Sequence, residues 1–292
     1  MLLGGIEAGG TKMVCAVADE KGNIYNRITI PTTTPDETIG KMVDYFLGKD
    51  IEALGIGCFG PINLNKNSYT YGCITKTPKE GWSDVDMLTP FKKALNVPVG
   101  FDTDVNAAIL GEVRFGNAKD CDNAIYITIG TGIGVGVYIN GGLLHGLLHP
   151  EAGHILIKPR GDDTYEGCCP FHKSCFEGLA SGPSIEKRWG RPAYELYDNE
   201  QVWGLEAYYI AQAIADYIFT YSPEKIILWG GVMHNKKLYN LVYKKVSDFL
   251  GEYIEHNVVN YIDTYIVKPG LGDNSGIIGA TQLGFNELKC IS

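Results

Sequence analysis

Four short stretches of this 292-residue chain carry side chains whose type and spacing could do chemistry. The most compact is His154 followed by Cys169-Pro170-Phe171-His172-Lys173-Ser174-Cys175, a Cys-x2-His-x2-Cys run with a second imidazole upstream. Two thiolates and two imidazoles fill the tetrahedral shell of zinc. A filled shell leaves no position for water, so such a site is structural and pins a loop. Cys168 stands beside Cys169 as a rival ligand, and the same residues also fit an unmetallated surface cluster. His145 and His149 lie outside the spacing and read as loop or packing histidines.

A second stretch, Phe101-Asp102-Thr103-Asp104-Val105-Asn106-Ala107-Ala108, sets two carboxylates and an amide where a strand gives way to a helix. Strand carboxyl ends are where open α/β sheets assemble ligand sites, and a carboxylate there can take or orient the proton of a hydroxyl attacking a phosphoryl group. Asp and Asn are also preferred helix caps, which accounts for the same local pattern.

Two glycine-rich turns complete the set. Gly5-Ile6-Glu7-Ala8-Gly9-Gly10-Thr11-Lys12 lets backbone N–H groups approach phosphate oxygens, with Thr11 and Lys12 adding side-chain donors. It is not a P-loop, because Thr precedes Lys and Met13-Val14-Cys15-Ala16-Val17 continues as strand where a P-loop needs a helix. Gly130-Thr131-Gly132-Ile133-Gly134 also runs into a strand and lacks the downstream acid of a dinucleotide fingerprint. Each turn alone is equally a tight hairpin without ligand. Together they suit the two sides of a nucleotide site.

The elements that hold these residues follow from periodicity. Strands are predicted at Leu2–Glu7, Met13–Ala18 and Ile24–Ile30. Thr34, Pro35 and Glu37 form a capping-box signature for a helix that buries Ile39, Met42, Val43 and Phe46. A strand at Ala53–Cys58 and an irregular stretch over 60–84 precede a helix near 86–96, a strand near 97–101 and a helix over 104–115. The pattern restarts with strands at Ala124–Ile129 and Gly134–Ile139 and an Asn140-Gly141-Gly142 hairpin. A polar insertion over about 150–180 follows, then helices near 183–190 and 204–221, the second burying Ile210, Ile214 and Ile218. A strand at Lys225–Trp229 leads through a Gly-Gly turn to a helix with Leu238, Leu241, Val242, Val246 and Phe249 inward. A strand at Thr264–Val267 and a helix from about 275 end the chain.

Both halves open on strand, Gly/Thr turn and strand, a weak internal duplication, and the strand–helix alternation argues for an α/β class. The expected division is a smaller N-terminal domain over 1–118, completed by the C-terminal helix at about 275–292, and a larger one over 119–274 that holds the insertion. A hydrophobic content of 45% suffices for two such cores. A formal charge of −9 without basic clusters disfavours nucleic-acid and anionic-membrane surfaces. Met1 leads into no basic and apolar leader, and no apolar run reaches 18 residues, so the expected compartment is the cytoplasm. Three of the eight cysteines crowd with His172, which in that compartment favours metal over disulfides.

In this order the motifs resemble the ROK sugar kinases (repressor, open reading frame, kinase), and within them the zinc-containing fructokinases. The resemblance rests on Gly5 through Lys12, Thr103 through Ala108, His149-Pro150-Glu151-Ala152-Gly153-His154, and Cys169 through Pro183, and it covers nearly the whole chain. It implies a duplicated actin-like ATPase (ribonuclease H-like) fold, two domains with ATP and sugar meeting in the cleft between them, Mg2+ beside the nucleotide, and a homodimer. Asp104 matches the family's catalytic base. Gly60, Pro61, Thr103, Asp104, Glu151, His154 and Glu177 match sugar-side positions, and His154 doubles as a zinc ligand with Cys169, His172 and Cys175. Gly9, Gly10, Thr11, Lys12, Thr131, Gly132, Pro183 and Gly230-Gly231-Val232-Met233-His234 fall where the family binds ATP.

Many members have Asp at the position of Glu7 and Asn at that of Thr103, and both departures look like the fructokinase subgroup. The reaction implied is phosphorylation of fructose at its 6-hydroxyl, with mannose and other hexoses open. Two alternatives remain. The family's repressors use the same body as a sugar sensor behind a DNA-reading segment, for which the phosphate turn at Gly4-Gly5 leaves no room. A catalytically inactive sugar-binding protein is the other.

Overall fold

The computed structural model describes residues 1–254, 256 and 260–291. Strands β1 (Leu2–Ala8), β2 (Lys12–Asp19) and β3 (Ile24–Pro31) form an antiparallel meander. Helix α1 (Pro35–Phe46) then carries the chain back to β4 (Ala53–Cys58), parallel to β1. Helix α2 (Thr89–Leu95) leads to β5 (Val99–Thr103), parallel to β4, and α3 (Asp104–Phe115) leaves the sheet. Every residue of β4 and β5 is buried. Parallel strands covered on both faces read as apolar and small residues without alternation, and Ala-Leu-Gly-Ile-Gly-Cys in β4 does so.

The second half repeats the plan. Strands β6 (Ala124–Ile129), β7 (Ile133–Ile139) and β8 (Gly142–Leu143) form a meander. The insertion adds the short helices α4 (Phe176–Ala180) and α5 (Gly182–Trp189) before α6 (Glu200–Tyr221). Strand β9 (Lys225–Trp229), α7 (Lys236–Leu250), α8 (Ile262–Tyr265), β10 (Ile266–Val267) and α9 (Ser275–Ile291) complete the chain. The sheets run β3-β2-β1-β4-β5 and β8-β7-β6-β9-β10. Numbered within its own half, each reads 3-2-1-4-5, with antiparallel meander strands and parallel fourth and fifth strands. This is the duplicated actin-like, ribonuclease H-like arrangement, and the duplication is plainer in strand order than in sequence.

The last helix of each half crosses over. α3 packs on β6 and β7 of the second sheet, whereas α9 lies across β1, β4 and β5 of the first. The two helices cross at Gly279, where a β-carbon would sit 1.6 Å from the Ala107 carbonyl oxygen. Only glycine allows that approach. Gly279→Ala is expected to force the helices apart at a cost of about 3 kcal/mol, and thermal denaturation should show a loss of roughly 6 °C or more. An unchanged melting temperature would mean that the helix crossing tolerates a β-carbon at position 279.

Several sequence expectations shift by local chemistry. Thr34 makes no side-chain cap on α1; instead Thr33 donates twice to the first turn, its Oγ1–H to Glu37 Oε2 at 2.7 Å and its N–H to Thr38 Oγ1 at 3.0 Å. Asp86 Oδ1 accepts from Leu88 and Thr89 N–H, holding a turn where a helix was expected, so α2 begins at Thr89. Leu241 is surface-exposed, and Tyr239 takes its place in the core. Over 264–267 only Ile266 and Val267 pair as strand, because Thr264 belongs to a helical turn in which its hydroxyl donates to the Tyr261 carbonyl. The last residue of the predicted C-terminal helix, 292, lies outside the described residues. Among the described residues no helix is long and apolar enough to cross a membrane.

Candidate active site and metal centre

Register in the first sheet aligns the carboxyl ends of three parallel strands: Ala8 pairs with Cys58 and Cys58 with Thr103. The turn Gly9–Lys12, the pair Gly60-Pro61 and the segment Thr103–Asp104 therefore lie side by side. The helix cap goes to Thr103, whose Oγ1 accepts from Asn106 N–H at 3.1 Å, and not to either aspartate. Asp104 is thereby the first residue of α3, its Oδ1 accepting from the Val105 N–H at 2.9 Å.

A carboxylate at a helix N-terminus is ordinarily stabilised in its charged form. Here burial outweighs that effect and pushes the Asp104 pKa up to about 7; the Val105 N–H pulls down, while Glu7 and Glu151 add repulsion. A carboxylate that titrates near neutrality suits a general base. Burial also pushes the Glu7 carboxyl up, against the pull of Arg27 and Lys12, and Asp273 adds to the push. The carboxyl of Glu7 is thus met by two cations, Lys12 at the glycine turn and Arg27 within β3.

From the second half, a loop after β8 supplies Glu151. A β-carbon on Gly60 would lie 3.5 Å from Glu151 Oε1 and 3.6 Å from His149 Nε2, so this loop meets the first sheet at Gly60. His149 is buried and its Nε2 lies 2.9 Å from Glu151 Oε1; His145 Nε2 lies 2.8 Å from Asp102 Oδ2. The two histidines expected to be ordinary packing residues therefore both engage carboxylates of the site. Their signal in the sequence was slight: His149 adjoins Pro150-Glu151, and Asp102 stands two residues before Asp104.

The remaining candidates collect at the strand ends of the second sheet. The Gly182 N–H donates to the Gly130 carbonyl at 2.8 Å, which sets Pro183, in the first turn of α5, against exposed Thr131 and Gly132. Gly230, at the end of β9, has φ +105° and would carry a β-carbon 2.3 Å from the Ile129 carbonyl. The turn therefore requires glycine there, and it brings Gly230-Gly231 beside the Gly130 turn. Val232 and Met233 point into the core, so only their backbone could face a ligand, whereas His234 is exposed and packs edge-on to Trp229.

The four predicted metal ligands come together. Ligand atoms of His154, Cys169, His172 and Cys175 all lie within 4.8 Å of one another. His154 Nδ1 stands 3.5 Å from Cys175 Sγ and 3.7 Å from Cys169 Sγ, and His172 Nδ1 stands 3.8 Å from Cys169 Sγ. A tetrahedral ion with bonds near 2.0–2.3 Å separates its donors by about 3.3–3.8 Å, so this donor set fits zinc. Cys168 turns away, its Sγ 3.7 Å from Ser181 Oγ. Burial pushes the Cys175 thiol up to about 12 even though the Gly178 N–H pulls down, so without a metal it keeps its proton. The other face of His154, Nε2, lies 4.0 Å from Glu177 Oε1, and Glu177 Oε2 accepts from the Ile133 N–H at 2.9 Å. A single carboxylate thus links the Cys/His cluster to the second glycine turn. Glu151 is one turn away, its carbonyl accepting from the His154 N–H at 2.9 Å.

The chain is similar over most of its length to proteins already known. A family model described as the ROK family matches residues 3–286. The chain is 45% identical over 289 residues to a fructokinase of Pediococcus pentosaceus, covering 99% of each chain. It is 43% identical over 285 residues to a fructokinase of Lactococcus lactis subsp. cremoris, covering 97% of each. In structure it superposes on a ROK family glucokinase from Streptomyces griseus in complex with glucose and AMPPNP, with TM-score 0.79 and 24% identity over 98% of this chain and 100% of that one.

Proposed function

The chain belongs to the ROK family, and from that premise we propose that it is an ATP-dependent fructokinase, a phosphotransferase that moves the γ-phosphoryl group of ATP to the 6-hydroxyl of D-fructose. The observation that carries the reading is Asp104, a partly buried carboxyl with its pKa pushed up to about 7 where β1, β4 and β5 end beside Glu151. The choice of fructose is supported by the full-length likeness to fructokinases.

In this reading Asp104 takes the proton of the sugar hydroxyl as the new O–P bond forms and the bond to the bridging oxygen of ADP breaks. Gly60, Pro61, Thr103, Glu151, His154 and Glu177 surround the sugar; the Thr103 hydroxyl accepts from Asn106 N–H and keeps its own proton for a sugar oxygen. Gly9, Gly10, Thr11 and Lys12 face the phosphates from one side, and Thr131, Gly132, Pro183 and Gly230–His234 border the nucleotide from the other. Mg2+ bound with ATP would supply charge neutralisation, and Glu7 is the carboxylate at the glycine turn suited to orient it. Zinc, held by His154, Cys169, His172 and Cys175, would pin the wall that carries Glu151 and Glu177. The two halves would act as bodies that close on ATP and sugar and exclude water, without which ATP would be hydrolysed. Cytoplasmic placement and a homodimer complete the proposal.

ATP consumption with Mg2+ across fructose, mannose, glucose and N-acetylated hexosamines tests this reading. Fructose should give the highest kcat/KM. Absence of sugar-dependent ADP formation from folded, zinc-loaded protein would sink it.

A further inference from the structure

Residues 144–151 leave the second sheet after β8 and end at Glu151. Among the described residues, one hydrogen bond ties this loop to the first sheet: His145 Nε2 to Asp102 Oδ2, 2.8 Å. The loop's other hydrogen bonds stay within the second half, from Leu144 N–H to the Val137 carbonyl, Gly146 N–H to the Leu148 carbonyl, His154 N–H to the Glu151 carbonyl, and His149 to Glu151.

The anchor on the first sheet is well built. Asp102 is 4% exposed, and its Oδ1 accepts from Thr103 N–H at 2.7 Å and from Asn106 Nδ2 at 2.8 Å. Its other oxygen is left for His145, the one residue able to carry positive charge that pairs with it among the described residues. A buried carboxylate needs its oxygens occupied by donors, so Asp102 favours the imidazole there although His145 is itself exposed. Asn106 extends the network, its Oδ1 accepting from Val137 N–H at 3.4 Å. The network thus joins β5, α3 and β7 immediately beside Asp104.

We propose that His145 is a positioning residue for the hexose: its Nε2–H holds the Glu151-bearing loop against the end of β5 and so sets the affinity for sugar. This rests on the kinase reading for its consequence, but not for the tether itself. The contact acts on the sugar wall and not on the phosphates, so its loss raises KM for fructose while kcat and KM for ATP stay near their starting values.

The test uses full-length, zinc-loaded protein with His145→Asn and His145→Gln. The glutamine amide nitrogen reaches the place of Nε2, whereas that of asparagine falls at Nδ1. Two measurements are made, steady-state kinetics and amide hydrogen exchange over 140–151. His145→Asn should raise KM for fructose about tenfold, leave KM for ATP within twofold, and speed exchange in the loop. His145→Gln should recover most of both effects. The inference is overturned by wild-type KM and exchange in His145→Asn, by a glutamine variant no better than asparagine, or by equal losses in kcat and both KM values. If the unaltered protein phosphorylates no hexose while exchange still follows the asparagine and glutamine pattern, the kinase reading falls and the tether stands.

Discussion

Asp104→Asn is expected to lower kcat for fructose phosphorylation by about a thousandfold, within the range that positioned general bases supply, or about 4 kcal/mol of barrier. The amide keeps the shape of the side chain and can still meet the Val105 N–H, so ATP and sugar should bind nearly as before. What it cannot do is take the hydroxyl proton. The pH dependence offers a second reading of the same group. Because the Asp104 pKa is pushed up to about 7, kcat/KM of the unaltered protein should fall as pH drops through about 7, whereas residual turnover of the variant should lack that limb. A variant retaining a tenth or more of the turnover would remove Asp104 from the role.

Stability should move the other way. The folded carboxyl holds its proton up to about pH 7, while an unperturbed aspartate releases it at its ordinary value of 3.8. Between these values the folded state binds more protons, so stability falls as pH rises across the window. Asparagine has no such titration. Asp104→Asn should therefore melt above the unaltered protein at pH 8 and converge with it below pH 4, a sign that the site holds its charge at the expense of stability.

The second large effect concerns zinc. Purified protein should carry one zinc per chain, and Cys169→Ser or exhaustive chelation should remove it. Two buried cysteines and two facing imidazoles would then lose their common partner. At about 4 kcal/mol, a cost typical of losing a metal or a buried polar network, the melting temperature should fall by roughly 10 °C. Because His154 adjoins both Glu151 and Glu177, KM for fructose should rise as well. A protein that purifies without zinc, or that melts unchanged after chelation, would refute the metal assignment. Retained turnover in zinc-free protein that melts lower would show that the ion serves the fold alone.

The strands and helices around the site were legible because their signals are local. Ala53–Cys58, Asp104–Phe115, Ala124–Ile129 and Lys225–Trp229 fall at their expected bounds, since burial pattern and flanking turns mark each one. The Cys/His cluster was legible for a related reason, as metal ligation imposes short spacing and permits few residue types. Less legible were features whose cause lies elsewhere in the chain. Thr264 looks like a strand residue, yet its segment turns helical before joining β9 for only two residues. His145 has no motif of its own, and its partner, Asp102, 43 residues earlier, becomes evident only when the loop lies against the first sheet.

Neighbouring residues alone specify which groups can act chemically and the α/β alternation that carries them, because apolar periodicity, glycine turns and ligand spacing are local properties. What those groups can do depends on how the chain folds. Parallel register set Gly9, Gly60 and Asp104 at one end of the sheet. The exchange of α3 and α9 between sheets bound the halves together. Burial among other carboxylates, which no single segment contains, raised Asp104 into the range of a base. Desolvation and long-range charge depend on what the whole fold packs around a group, and a motif cannot encode that alone.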